Sequence, residues 1–393
     1  MTRRIAILAP SFLPIPASRG GAIETLATYF VEENEKTGDF EIDIYCQYDA
    51  AAKKLADGYH HARCLFMRPA GGLNRLWNKA AFAVRMLTHE RVMLTVSYIA
   101  AVDRELAKHS YDAVLVEGAP EMMLKLGRKY PNTILHVHTD ILNVGFGYYQ
   151  KVMSCAPHIV AVSSFVAGKI NSAVPDQVSV IRNCVDSRLF HPDGRNEALR
   201  ESLGIGEDDF LIIFAARVDH TKGIDHLVNA VLQLNNPHIR LLVIGAGWFS
   251  ADRRTAFEEM LSRKTASHQD QFLFTGYIDH GKIPEYLHAA DLGAAPSVCY
   301  DAAPLSVIEM QACGLEVIAS NIGGIPEYIN DPASLIDPHG EDFERELAGK
   351  IADRYAHRTD KPAYRPQRTE KIYYQELASY TERVIEEAGD GKR

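Results

Sequence analysis

The sequence predicts an α/β protein built from two consecutive doubly wound domains. Short β-branched runs alternate with helix-length segments, which is the pattern of parallel sheets covered by helices. The alternation stops after about residue 192 in a polar stretch and then starts again. A length of 393 residues is sufficient for two or three domains of ordinary size.

Each series of strand candidates predicts one sheet. The first series is Arg4–Ala9, Glu41–Tyr45, Ala113–Glu117, Thr133–His138, Ile159–Val162 and Val178–Ile181. The second series is Leu211–Ala215, Ile239–Ile244, Gln271–Thr275, Leu292–Pro296 and Glu316–Ala319. Sheets of this type bind ligands at the carboxyl ends of their strands, so two such domains facing each other predict a deep interdomain cleft. Residues 369–387 predict one amphipathic helix.

Composition narrows the class of protein. The hydrophobic fraction of 47% and the charged fraction of 24% are typical of a soluble globular chain. The net charge of −9 argues against nucleic acid as a partner but leaves room for a local basic pocket. Six scattered cysteines without a C-x-x-C pair predict reduced thiols. With no signal-peptide pattern and no apolar run near the roughly 18 residues that span a bilayer, we expect a cytoplasmic protein.

Three segments carry candidate ligand contacts. Gly20 and Gly21 precede a helix, where glycine lets a phosphate approach the free N–H groups; an ordinary turn and cap is the alternative. Arg217 follows a strand and Lys222 precedes a helix, which suits a diphosphate, although this segment alone favours the alternative of a solvated loop with ordinary surface charges.

The third segment is APSVCYDAAPLSVIEMQACG, in which Asp301 and Glu309 lie eight residues apart. Pro304 suits the first helical position, so the N–H groups of Leu305 and Ser306 would point towards an anion. Glu309 could accept hydrogen bonds from a vicinal diol, and Asp301 would face the polar ligand beyond the phosphates. The alternative is a loop or capping Asp301 and a solvated Glu309, but Glu309 stands in an otherwise apolar stretch.

Five segments in order resemble the retaining glycosyltransferases of family 4. They are LHVHTD, VIRNCVDSRLFHP, FAARVDHTKGIDHLVNAV, FLFTGYIDHGKIPEYLHAADLGAAPS and the E-x7-E-like DAAPLSVIEMQACGLEVIASNIGGIPEYI. The resemblance covers nearly the whole chain and implies the GT-B fold, with an acceptor-side domain at 1–195, a donor-binding domain at 196–368 and a C-terminal helix, within 369–393, that crosses back to the first domain.

The resemblance also implies roles for individual residues. Arg217 and Lys222 would hold the donor diphosphate and stabilise its growing charge. Glu309 would bind the ribose and Asp301 the sugar hydroxyls, while Gly276, Tyr277 and Ile278 would flank the base. Gly20 and Gly21 would face the diphosphate from the first domain. His138 would contact the transferred sugar near the reacting carbon, with His136 the weaker candidate.

Three residues depart from the family pattern. Asp301 stands where Glu is usual, Pro304 replaces a common Gly, and Cys184 replaces the Gly of the N-G-V-D turn, so its backbone should avoid positive φ. The chain contains no D-x-D triplet. We therefore expect no metal and no cofactor, with the nucleotide sugar as substrate and the charge of its diphosphate met by Arg217, Lys222 and helix N-termini.

The predicted function is transfer of a sugar, with retention, from a nucleotide-diphosphate sugar to an acceptor hydroxyl, by front-face displacement. The acceptor would be a saccharide, glycoconjugate or lipid-linked sugar of a bacterial surface-polysaccharide pathway. A nucleotide-sugar epimerase and a degenerate nucleotide-sugar-binding protein are the alternatives. Residues 71–94 mix aromatic and basic side chains, which favours either packing on their own domain or weak peripheral membrane contact.

Overall fold

The computed structural model describes residues 2–10, 12–67, 96–139, 147–171, 178–246, 255–358, 365 and 367–390. It separates into two compact units, residues 1–183 with 370–393 and residues 184–369. The predicted boundary lay at 195. Residues 184–195 instead group with the second unit, where His288 Nε2 lies 2.9 Å from the carbonyl oxygen of His191.

The first unit contains a parallel sheet of seven strands in the order β3-β2-β1-β4-β5-β6-β7. The strands are β1 (Arg3–Leu8), β2 (Phe40–Gln47), β3 (Ala62–Met67), β4 (Ala113–Glu117), β5 (Thr133–Val137), β6 (His158–Ala161) and β7 (Val178–Val180). Its described helices are Ala22–Thr37, Ala50–Ala56, Val96–Leu106, Met123–Leu126, Gly147–Met153, Ser164–Asn171 and Glu370–Asp390. The strand order reverses between β1 and β4. This topological switch point is where ligands bind in this architecture.

The second unit contains a parallel sheet of six strands in the order β10-β9-β8-β11-β12-β13. They are β8 (Phe210–Ala215), β9 (Ile239–Ile244), β10 (Phe272–Gly276), β11 (Leu292–Ala295), β12 (Val317–Ser320) and β13 (Leu335–Ile336). Its described helices are Glu197–Ser202, Ile224–Leu234, Ala256–Thr265, Ile283–Leu287, Leu305–Ala312 and Phe343–Ala356. The corresponding switch point lies between β8 and β11.

Apolar strands covered on both faces explain why both sheets form. All six side chains of β9 are buried, and all five of β4. Leu227 and Val231 from one helix and Leu347 and Ile351 from another are fully buried on the second sheet. Burial of one such side chain contributes about 1.5–3 kcal/mol, so the sheet and its helices stabilise each other.

The C-terminal helix packs in the first unit, as predicted. The ring centroids of Tyr374 and Phe30 lie 5.1 Å apart, and the Tyr374 hydroxyl lies 2.7 Å from Asp39 Oδ2. The predicted GT-B type of fold is thus confirmed in its two α/β units and in the return of the last helix. The predicted cleft between the units stays a prediction.

Candidate active site

Arg217 and Lys222 lie just beyond the carboxyl end of β8, and each cation is paired with an aspartate. Arg217 Nη1 is 2.9 Å from Asp219 Oδ2, and the Lys222 ammonium contacts the carboxylate of Asp301. The backbone makes these pairs possible. Val298 donates its N–H to Thr221 across 3.0 Å, so the loop after β11 is fixed beside the turn that carries Lys222.

Two glycines permit the close approach of these loops. Gly223 has φ 68°, and a Cβ there would stand 1.8 Å from the Pro296 carbonyl oxygen. Gly323 has φ 64°, and a Cβ there would stand 2.4 Å from the carbonyl oxygen of Asp301. The neighbouring Gly324 donates its N–H to that same oxygen. The position of Asp301 is therefore fixed by backbone contacts as well as by Lys222.

The helix Leu305–Ala312 begins one residue later than predicted, because Pro304 is its N-cap with an extended backbone. Leu305 and Ser306 are then its first two residues, whose N–H groups have no acceptor within the helix. Glu309 lies one turn further on and is only 8% exposed. This burial excludes the solvated helix position that was the alternative.

His280 is a member of this site that the sequence did not indicate. Its Nε2 lies 2.8 Å from Glu309 Oε1, and its ring centroid lies 5.2 Å from that of Phe190. Burial acts to lower the pKa of His280, but the charge of Glu309 and this hydrogen bond outweigh it and raise the pKa. His280 follows the segment Gly276–Ile278, so it connects the predicted base loop with the predicted ribose carboxylate.

In the first unit, Gly20 and Gly21 have φ of 71° and 101°, and the helix Ala22–Thr37 begins immediately after them. A Cβ on Gly21 would stand 2.3 Å from Glu24 Oε2, so this carboxyl lies directly against the loop. Glu24 is 4% exposed. Burial, with a smaller contribution from the charge of Glu117, raises its pKa to about 7.

His138 follows β5, and His136 shares its partner. Nε2 of His138 lies 2.8 Å, and Nδ1 of His136 lies 3.0 Å, from the same oxygen of Glu117. The His136 contact is off the line of a hydrogen bond. Residues i and i+2 of a strand share a face, which explains why both rings meet one carboxylate.

The electrostatics of this trio follow from its burial. Burial acts to raise the pKa of Glu117, but the charge and close contact of His136 and the hydrogen bond from His138 lower it to about 2. Burial and the charge of His136 lower the pKa of His138 to about 4, despite the opposing effect of Glu117. At neutral pH, Glu117 is a carboxylate and His138 a neutral imidazole.

The structure can also be compared with the predictions for the backbone of Cys184, for the cysteine thiols and for membrane-spanning helices. Among the described residues, the one non-glycine position with positive φ is Asn235, so Cys184 avoids that region, as predicted. All six cysteines are free thiols. None of the described helices combines the length and the apolarity needed to cross a bilayer. Residues 71–94, predicted to pack on their own domain or touch a membrane, lie outside the described residues.

Comparison with known proteins identifies the class. Residues 195–365 match the family described as Glycosyl transferases group 1. The chain is 25% identical over 370 residues to spore coat protein SA of Bacillus subtilis, with 89% of each chain covered. A D-inositol 3-phosphate glycosyltransferase of Xylanimonas cellulosilytica is 33% identical over 175 residues, which cover 42% of this chain and 40% of that protein.

The fold comparison agrees. The structure of HepE from Anabaena in complex with UDP-glucose superimposes with a TM-score of 0.70 over 99% of both chains, at 18% identity. The fold and the matched residues thus define a glycosyltransferase with the GT-B fold. The region that matches the group 1 family, residues 195–365, lies within the second unit, which carries Arg217, Lys222 and Glu309.

Proposed function

We propose that the chain transfers a sugar, with retention at the anomeric carbon, from a nucleotide-diphosphate sugar to an acceptor hydroxyl. The observation that carries this proposal is the cluster at the β8–β11 switch point, where two cations, two helix N–H groups and the buried Glu309 meet at the carboxyl edge of one sheet. A diphosphate needs the cations and the N–H groups, and a ribose needs an acceptor such as Glu309.

In this proposal each group has one task. Arg217 and Lys222 exchange their aspartate partners for the diphosphate and stabilise the charge that grows as the glycosidic bond breaks. Asp301, released from Lys222, accepts from hydroxyls of the sugar. The acceptor hydroxyl attacks the anomeric carbon from the side on which the diphosphate leaves, and a phosphate oxygen takes its proton. The cations supply the positive charge, so the step is written without a metal.

UDP is the nucleotide to test first, because HepE, with the same fold, was solved with UDP-glucose. The acceptor in this proposal is a saccharide, glycoconjugate or lipid-linked sugar of a bacterial surface polymer, and the reaction takes place in the cytoplasm. Gly20 and Gly21 contribute backbone N–H groups, and His138 contacts the transferred sugar.

The test begins with thermal-shift screening against UDP, GDP, ADP and dTDP, because a ligand of the folded state stabilises it according to its concentration over its dissociation constant. The sugar of the best nucleotide is then incubated with candidate acceptors, and the product is examined by NMR. We expect a new glycosidic bond with the anomeric configuration of the donor. An inverted product, or an isomerised donor without transfer, contradicts the proposal.

A further inference from the structure

Glu117 has no role in the site described so far, yet it is the partner of His138. It is the last residue of β4 and lies opposite His136 in the register with β5. The side chains of Glu117 and His138 are 2% and 4% exposed. A buried carboxylate is costly to keep unless it is compensated by hydrogen bonds, and at this position a neutral apolar residue would avoid that cost.

The chemistry of the contact fixes the position of a proton. An ionised carboxylate only accepts hydrogen bonds, and a neutral imidazole carries one N–H and one lone pair. Because Glu117 Oε2 lies 2.8 Å from Nε2 of His138, Nε2 must donate. Nδ1 is then the nitrogen that can accept a hydrogen bond.

We propose that Glu117 is a positioning residue, which holds His138 as the Nε2–H tautomer and thereby directs the Nδ1 lone pair to a hydroxyl of the transferred sugar. The inference rests on the proposed function, since it takes the sugar contact of His138 from there. The low pKa of His138 agrees with it, because a protonated ring would have no lone pair to offer.

Metal binding is the main competing explanation for the cluster, because Glu117, His136 and His138 place three possible ligand atoms within 4.8 Å of one another. Two ligands of one tetrahedral zinc ion, each about 2.0–2.1 Å from it, stand about 3.3 Å apart. The observed 2.8 Å between Glu117 and His138 is instead the length of a direct hydrogen bond. A proton between the two atoms is therefore the better description.

Nitrogen-15 NMR of histidine-labelled full-length protein reads the tautomer directly, with His138→Gln to assign the signals. We expect His138 at pH 7 to carry its proton on Nε2 in the wild type. In Glu117→Gln, whose amide can donate as well as accept, and in Glu117→Met, which can do neither, the single tautomer should be lost. A wild-type Nδ1–H form, or an unchanged tautomer in both variants, overturns the proposal.

Kinetics supply the second readout. Glu117→Gln should lower kcat for transfer at least tenfold and leave the donor KM within twofold, because most of the proposed donor contacts lie in the other unit. Glu105→Gln, which alters a partly exposed carboxylate of the same unit, should change neither value. An unchanged kcat in Glu117→Gln contradicts the inference, as does stoichiometric zinc in the purified wild type that Glu117→Gln loses. Failure of the wild type to bind or use any nucleotide sugar would instead defeat the proposed function. The tautomer measurement does not depend on activity, so it distinguishes failure of the inference from failure of the proposed function.

Discussion

Each unit places an imidazole against a carboxylate near the carboxyl edge of its sheet, but the two pairs behave in opposite ways. In the first unit, His138 and Glu117 are both almost fully buried, and the pKa of His138 falls to about 4. In the second unit, the side chain of His280 is 34% exposed beside Glu309, and its pKa rises. The hydrogen bonds are both 2.8 Å long.

Hydrogen bonds of equal length therefore do not shift the pKa of the two histidines in the same direction. Where water is excluded and a second histidine adds its charge, the cost of desolvation exceeds the attraction of the carboxylate. Where water reaches the ring, the carboxylate dominates. The first unit thus holds a neutral imidazole suited to orienting a hydroxyl, whereas in the second unit Glu309 stabilises the protonated form of His280, in the part of the site that we assign to the nucleotide.

The largest effect on stability should come from Glu24, which, like Glu117, is a carboxyl buried in the first unit. Its neutral form is favoured in the folded protein, so the stability it contributes is present below pH 4.5 and is lost as the pH rises through about 7. The free energy of unfolding lost in this way is about 3 kcal/mol. Glu24→Gln should therefore melt roughly 5–10 °C above the wild type at pH 8.5 and close to it at pH 4.5.

Scanning calorimetry of both proteins across this pH range provides the measurement, and Glu105→Gln is the control with a partly exposed carboxylate. Parallel pH profiles for Glu24→Gln and the wild type would show that Glu24 is ionised at no cost in the folded protein. The claim that burial dominates the first unit would then fail.

The second prediction distinguishes Glu309 from Glu117 by their effects on UDP binding. Glu309→Gln should weaken UDP binding roughly 10- to 100-fold, because hydrogen bonds to a charged acceptor are worth about 1.5–3 kcal/mol. Glu117→Gln should leave the affinity within twofold. Titration calorimetry measures both, and equal losses in the two variants would contradict the assignment of nucleotide binding to the second unit.

The smallest effect concerns His280 itself. At pH 6.0, His280→Ala should weaken UDP binding about threefold, since a partly exposed ion pair that orients Glu309 contributes only a fraction of 1 kcal/mol. The difference should shrink as the pH is raised and the wild-type imidazole loses its proton. Tighter binding by the variant would mean that His280 competes with the nucleotide for Glu309.

The sequence predicted each of the described strands except β3 and β13, which lie at one edge of each sheet; the strands at the opposite edges, β7 and β10, were predicted although they are only partly buried. In β3, the exposed Arg63 leaves an apolar run of only four residues, whose middle is partly buried, and β13 has two residues, so neither gives a strong strand pattern. The sequence also named site residues from the family motifs, and their roles stay predictions. The pairing of Lys222 with Asp301 across 79 positions was not predicted, because it depends on β8 and β11 being neighbours.

Glu117 and His280 show the limit of sequence reasoning most clearly. Each is a single polar residue at the end of a strand or in a turn, with no periodicity that distinguishes it from a solvated side chain. Their importance comes from partners 21 and 29 positions away and from the exclusion of water around them. The partners come together, and water is excluded around them, only when the sheet has folded.

The central claim, that the second unit grips a nucleotide diphosphate through its cations, is tested most directly by titrating UDP into the wild type, Lys222→Met and Lys264→Met. Lys264 is an exposed lysine on a helix of the same unit, so it controls for the loss of one positive charge. We expect saturable binding by the wild type and by Lys264→Met, and at least tenfold weaker binding by Lys222→Met. Equal affinity in all three proteins would contradict the account.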